Sequence, residues 1–117
     1  MNGRKLTAWL LSLCVLFLTA PAWNAERANL VHTVVNVTTS STTVVLARSG
    51  TRSLLVLQND SDTTIYCNIT GAAAVLNQGV RLNDSGGTLF MDVVVPTVTV
   101  ACIHGGTGNK ALLVTEG

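Results

Sequence analysis

Apolar and polar side chains alternate along most of the chain after residue 30, and this alternation is the strongest constraint on the fold. In the segment Thr64 to Ile69, for example, Ile65, Cys67 and Ile69 fall on one face and polar or aromatic residues fall on the other. A period of two is typical of a strand with one buried face, whereas a helix repeats every 3.6 residues. Val and Thr, which favour strands, are abundant. We therefore expect β-structure throughout.

The pattern predicts an all-β fold, a small antiparallel β-sandwich or jelly roll of about seven to nine short strands. Apolar residues on both faces of Leu54–Leu57 predict a central strand that is buried on both sides. Leu89, Met91, Val93 and Val95 are expected to share one face until Pro96 ends the strand. The remaining candidate strands lie at 31–37, 43–47, 64–69, 80–82, 98–102 and around 112–114, with turn signals at 59–62, 83–87 and 105–109.

Residues 1–25 have the features of a secretory signal peptide, which would form an N-terminal signal helix ahead of the sandwich. Arg4 and Lys5 precede the apolar run from Leu6 to Leu18, and small residues follow, so that cleavage is expected after Ala22 or Ala25. The run is shorter than the roughly 20 residues that a membrane-spanning helix needs. The sequence thus predicts a secreted or periplasmic protein with no stable membrane insertion after cleavage.

Charge and aromatic content exclude two classes of binding protein. Only 11% of residues are charged, and the basic residues after the signal are scattered along the chain. Because nucleic-acid binding needs clustered Lys and Arg, no nucleic-acid partner is expected. After cleavage at Ala25, Tyr66 and Phe90 are the only aromatic residues left, too few for a platform that stacks sugars or bases.

Two cysteines remain once Cys14 leaves with the signal. Cys67 and Cys102 both fall on the apolar face of their predicted strands. An even number of inward cysteines in an exported protein favours a disulfide between them. The alternative is two buried thiols that never meet; a metal or catalytic role lacks the CxxC or Cys–His spacing that it needs.

No catalytic constellation is present, so we expect no enzyme, no cofactor and no metal. His32 and His104 are the only side chains that titrate near neutral pH, and both are interpreted as surface residues. Asp60 and Asp62 suggest calcium, but the further oxygen ligands of a calcium loop are missing. The segment 105–109 (GGTGN) lacks the lysine of a phosphate-binding loop and is interpreted as a hairpin loop.

Four N-x-S/T sequons occur, and they would carry glycans in a eukaryotic secreted protein. Their asparagines are Asn36, Asn59, Asn68 and Asn83, of which the last three are expected to be exposed in or near turns. In a chain this rich in Thr and Ser, such matches also arise by chance.

The segment 52–117 resembles a small β-sandwich module that recurs among tailed-phage virion proteins. The resemblance rests on R-S-L-L-V-L-Q-N-D-S, T-I-Y, G-V-R-L-N and the terminal A-L-L-V-T-E-G. It implies a non-enzymatic accessory protein, capsid-decorating or fibre-associated, that is often oligomeric. Virion proteins of tailed phages assemble in the cytoplasm, so the export signal favours a related module used outside a bacterial membrane or carried by a prophage.

These features predict three segments: the signal peptide at 1–25, an N-terminal strand or arm at 26–51, and the sandwich core at 52–117. The preferred function is an exported structural or interaction domain, associated with a virion or a cell surface, that forms homo-oligomers or binds another protein through strand edges. The alternative is a small extracellular module that binds glycans or calcium, with Asp60 as a test residue.

Overall fold

A computed structural model describes residues 29–117, so the predicted signal helix and its cleavage site lie outside the described residues. Within 29–117 there are eight strands and no helix, and hence no helix that could cross a membrane. The strands are β1 (Val31–Val37), β2 (Thr42–Val45), β3 (Leu55–Asn59), β4 (Ile65–Asn68), β5 (Val80–Leu82), β6 (Thr88–Met91), β7 (Val100–His104) and β8 (Lys110–Glu116).

The strands form two four-stranded sheets. The first sheet has the order β1-β8-β3-β6 and the second sheet has the order β2-β7-β4-β5. Every neighbouring pair is antiparallel. The all-β class, the antiparallel pairing and the expected number of strands are confirmed.

One hydrophobic core lies between the two sheets. In each strand alternate residues point into it, as the period-two pattern predicts. Both sheets contribute fully buried side chains, among them Leu55, Leu57 and Leu112 from the first sheet and Ile65, Cys67, Val100 and Cys102 from the second.

The core includes strands from the segment that was predicted to be an arm. Val37 of β1 is fully buried, and Val44 and Val45 of β2 belong to the same core cluster. The sandwich therefore begins at Val31, and the division at residues 51 and 52 does not separate an arm from a core.

Two expectations about strand length and burial are wrong. β6 ends at Met91, and Val93 is 89% exposed instead of sharing a face with Leu89 and Met91. The chain leaves the sheet after Met91 and returns to the core only with Val95, which packs against it.

β3 is central in its sheet but is buried on one side only. Leu55 and Leu57 are fully buried in the core, whereas Val56, on the opposite face, is only half-buried. The expected covering layer over the outer side of β3 is absent among residues 29–117.

The second sheet, in contrast, has its outer face covered by the connection between β4 and β5. Ala74 of this connection packs against Ala101 and Ile103 of β7, with Tyr66 of β4 alongside, and these two β7 residues are at most 9% exposed. The backbone N–H of Ala74 donates to Ser41 Oγ at 2.8 Å, which fixes the connection on the sheet. Residues 72–76 are part of this covering loop and are not helical.

Candidate interaction surface

The outer face of the first sheet carries an apolar patch that no segment of residues 29–117 covers. Strand register places Val34 beside Leu113 on β1 and β8, and Val56 beside Phe90 on β3 and β6. Residues that are paired across antiparallel strands point to the same face, so the four side chains share the face opposite the core. Val34 and Phe90 are 65% and 61% exposed. We call Val34, Val56, Phe90 and Leu113 the apolar patch.

A shallow groove of about 450 Å³ lies on this face, and Val34, Val56 and Leu113 of the apolar patch line it. Polar side chains border it at His32, Gln58 and Thr115, and His32 Nδ1 lies 2.7 Å from Thr115 Oγ1 in a hydrogen bond across β1 and β8. His32 is exposed, as predicted. Apart from His32, no ionisable side chain lines the groove, so it offers contact area rather than charge.

The two aromatic residues within 29–117, Tyr66 and Phe90, lie on opposite sides of the sandwich. Phe90 points outward from the first sheet, whereas Tyr66 points outward from the second and packs against Ala74. Two rings on opposite faces cannot stack on one sugar or base, and this separation argues against a stacking glycan site.

Cys67 and Cys102 form the predicted disulfide. They are register partners on β4 and β7, with a Cα–Cα distance of 4.1 Å, and the bond links two strands of one sheet rather than the two sheets. Both residues are fully buried in the core. The bond is therefore part of the core packing.

Arg52 is a buried structural residue that the sequence analysis did not single out. Its Nε donates to Glu116 Oε2 at 2.9 Å, its Nη2 donates to the Leu46 carbonyl at 2.8 Å, and its Nη1 donates to the Pro96 carbonyl. The Arg52 side chain is fully buried and that of Glu116 is 31% exposed. One guanidinium thus joins three segments that are distant in sequence.

His104 is buried, and its expected place on the surface is wrong. It is the last residue of β7 and is 0% exposed. The backbone N–H of Gly106 donates to Nδ1 at 3.0 Å, so that Nδ1 carries no proton, and Nε2 donates to the Gly108 carbonyl at 2.7 Å. The imidazole thereby fixes the glycine-rich loop at 105–109. The prediction of a hairpin loop is wrong, because β7 and β8 lie in different sheets and the loop crosses from the second sheet to the first.

The asparagine of one sequon, Asn59, is also buried, contrary to expectation. Asn59 Nδ2 donates to the Thr63 and Leu82 carbonyls at 2.7 and 3.0 Å, and Oδ1 accepts from the Ser61 N–H and hydroxyl. With 0% exposure and both amide hydrogens engaged, Asn59 is no glycan acceptor in the folded chain. Asn36 and Asn83 are exposed, and Asn68 is half-buried.

Of the two aspartates that suggested calcium, Asp62 forms an ion pair and Asp60 is isolated from other metal-ligating side chains. Asp62 Oδ1 accepts from Lys110 Nζ at 2.7 Å, and this hydrogen bond, helped by one from the Thr63 hydroxyl, lowers the pKa of Asp62. Within 29–117 no three His, Cys, Asp or Glu side chains are grouped as metal ligands. A cation at Asp62 would have to displace the ammonium group of Lys110.

Together these features define residues 29–117 as a small disulfide-linked antiparallel β-domain, in which these residues cover one outer face and leave the other bare. Comparisons with protein-family models, with curated proteins and with solved structures found no match for this chain.

Proposed function

We propose that this chain is an exported, non-enzymatic structural or interaction domain that assembles through the outer face and the strand edges of its first sheet. In this proposal it is an accessory protein of a virion or of a cell surface. Eight strands in two four-stranded sheets support the finer assignment of the fold as a jelly roll, an architecture used by viral capsid domains.

The difference between the two outer faces carries the proposal. The second sheet is covered by its own loop, whereas the apolar patch on the first sheet is bare. β3 has the apolar composition of a strand that is buried on both sides, yet Val56 lies half-exposed on the outer side. A protein that covers this face would complete the burial that the composition of β3 predicts.

The free energy available from such burial is substantial. Fully burying one Val or Phe side chain stabilises by roughly 1.5–3 kcal/mol, and Val34 and Phe90 are both more than half exposed. Because ionisable side chains are almost absent from the groove, covering it costs little desolvation of charge.

The buried disulfide supports the export part of the proposal. Disulfides form and persist in oxidising compartments, which a chain with the signal features of residues 1–25 would reach. The exported product is then the chain without that segment.

Expression of the full chain in a bacterium, followed by fractionation, tests both parts. Mass spectrometry of the exported protein is expected to show cleavage after Ala22 or Ala25, and sedimentation velocity is expected to show an assembly that grows with concentration. A cytosolic, uncleaved product would contradict export. A cleaved product that binds no copy of itself and no other virion or surface protein would contradict the interaction role.

A further inference from the structure

We infer that β1 is a pairing edge for a second copy of this chain, in an antiparallel dimer with its twofold axis at Val34. The inference rests on the proposed function and adds the partner, the strand and the register.

The four edge strands of the two sheets differ sharply in how well they are protected. β2 has four residues and an irregular register between Thr43 and Val45, and β5 has three residues and carries Arg81. β6 has four residues and is followed by Asp92. Short length, bulges and charged residues are the devices by which natural edge strands avoid pairing.

β1 has none of these devices. It runs for seven residues, Val31–Val37, pairs with β8 in unbroken register, and contains no Lys, Arg, Asp, Glu or Pro. Its other side presents the backbone N–H and C=O groups of alternate residues without a strand to receive them among residues 29–117. The chemistry that satisfies such an edge is another uncharged β-strand.

A second β1 fits this edge in one register with all seven residues paired. With Val34 opposite Val34 of the second copy, Val31 faces Val37 and His32 faces Asn36. Directly opposed residues point to the same side of a sheet, so the inward residues of both copies remain inward. If the register were shifted by one residue, the core-facing residues of one copy would lie on the same side of the joined sheet as the outward-facing residues of the other.

The same geometry sets the two bare faces side by side and brings the exposed Val34 of each copy into contact with its equivalent, which favours a copy of this chain over an unrelated strand. A twofold axis at Val34 joins the two first sheets into one eight-stranded sheet, and Val34 of each copy lies beside that of the other. The apolar patches thereby become parts of one surface around the axis. Such a contact is isologous, because the same strand serves both sides, and it closes at two copies.

A cross-linking experiment tests the register. In the exported protein, Val34→Cys places two thiols opposite each other, at the Cα separation of paired strand residues, about 4.5–5.5 Å, where a disulfide can form. Mild oxidation is expected to give a covalent dimer on a non-reducing gel. Val75→Cys, at a 49% exposed position on the loop that covers the second sheet, is the matched control and is expected to stay monomeric on that gel.

Two charge variants separate edge pairing from packing between the outer faces. Val34→Lys would place two ammonium groups opposite each other across the axis, whereas Phe90→Lys changes the far edge of the same sheet at a similarly exposed position. We expect Val34→Lys to raise the dimer Kd by roughly tenfold or more and Phe90→Lys to leave it nearly unchanged. An unchanged urea midpoint for each variant, measured at a protein concentration at which wild type is monomeric, will show that both still fold.

The outcomes distinguish this inference from the proposed function. Loss of the dimer in Phe90→Lys but not in Val34→Lys would overturn pairing through β1 and leave assembly through the outer face standing. A wild-type chain that is monomeric at all concentrations would overturn the dimer, and the proposed function would then rest on a different protein partner. Equal cross-linking of the Val34→Cys and Val75→Cys variants would also overturn the inferred register.

Discussion

The guanidinium of Arg52 donates to Glu116 at 2.9 Å, joining the segment just before β3 to the last residue of β8. The other two nitrogens bind the carbonyls of Leu46, after β2, and Pro96, before β7. The side chain is fully buried, so these bonds form where water cannot replace them. Arg52 therefore holds one end of the sandwich together.

Replacing Arg52 with methionine is expected to destabilise the fold. Arg52→Met keeps much of the side-chain length but leaves two backbone carbonyls without their donor and Glu116 without its partner. Breaking a buried charged network in this way costs about 3 kcal/mol or more of the free energy of unfolding. Urea denaturation at neutral pH measures the loss.

Arg81→Met is the matched control for Arg52→Met. Arg81 lies on β5 and is exposed, so the free energy of unfolding is expected to change by no more than about 0.5 kcal/mol. Equal effects of the two substitutions would show that the bonds of Arg52 do not stabilise the fold.

Removing the disulfide is expected to lower stability without changing the fold. The bond closes a loop between positions 35 apart in sequence, for which the chain-entropy relation gives about 4 kcal/mol. The variant with both Cys67→Ala and Cys102→Ala is expected to lose about this much free energy of unfolding. Adding reductant to the wild-type protein under partly denaturing conditions is the independent check, since reductant should lower its urea midpoint and leave that of the double variant unchanged.

Asn59→Asp is expected to destabilise the turn between β3 and β4 in a pH-dependent way. The new carboxylate would face the carbonyls of Thr63 and Leu82, to which the amide now donates, at a cost of about 3 kcal/mol at neutral pH. Burial beside these carbonyls raises the pKa of that carboxyl in the folded state. The loss of free energy of unfolding relative to wild type is therefore largest above the raised pKa. It becomes smaller as the pH falls through that pKa.

Asn83→Asp provides the comparison for Asn59→Asp, since Asn83 is exposed in the turn before β6. Urea denaturation of both variants at several pH values should show a deficit that depends strongly on pH for Asn59→Asp only. A deficit at Asn59 that does not change with pH would contradict the burial of the new carboxylate.

From the ion pair of Asp62 with Lys110, we predict that removing the lysine shifts the titration of Asp62. The hydrogen bond from Lys110 is the main cause that holds the pKa of Asp62 below its ordinary value of 3.8. A lowered pKa in the folded state stabilises the fold above the ordinary value, and this contribution is lost as the pH falls through the folded pKa. Because Asp62 is fully exposed, the effect on stability is small and salt weakens it.

Lys110→Gln is expected to raise the pKa of Asp62 toward 3.8, as an NMR titration of the aspartate carboxyl signals will measure. The signal of Asp84, which lies in a different turn, serves as the internal reference. If the pKa of Asp62 is unchanged in Lys110→Gln, then Lys110 does not bind the Asp62 carboxylate when the protein is in solution.

The strands could be predicted from the sequence because alternation is a local signal. The inward set of β4 and the pairing of Cys67 with Cys102 both follow from parity along a strand. The same parity failed at Val93, because alternation continues in the sequence after the chain has left the sheet at Met91. Periodicity identifies faces but does not show where a ladder ends.

Burial of polar side chains could not be predicted, because it depends on how the fold arranges loops and segments around them. Arg52 receives acceptors at Leu46, Pro96 and Glu116, which only the fold brings together. His104 carries the parity of the core side of β7, but its burial depends on the glycine-rich loop folding over it. The bare outer face could not be predicted either. The composition of β3 predicts that both of its sides are buried, but it does not say whether this chain or a partner covers the outer side.

Hydrogen exchange along β1 tests the central claim, that the bare sheet is where this protein meets its partner. Exchange of the amides of residues 31–37 in the exported protein is measured at low and high protein concentration, with the β6 edge, residues 88–91, as the reference. We predict that concentration slows exchange in β1 and leaves β6 nearly unchanged. Exchange in β1 that is equally fast at every concentration would contradict pairing through this strand.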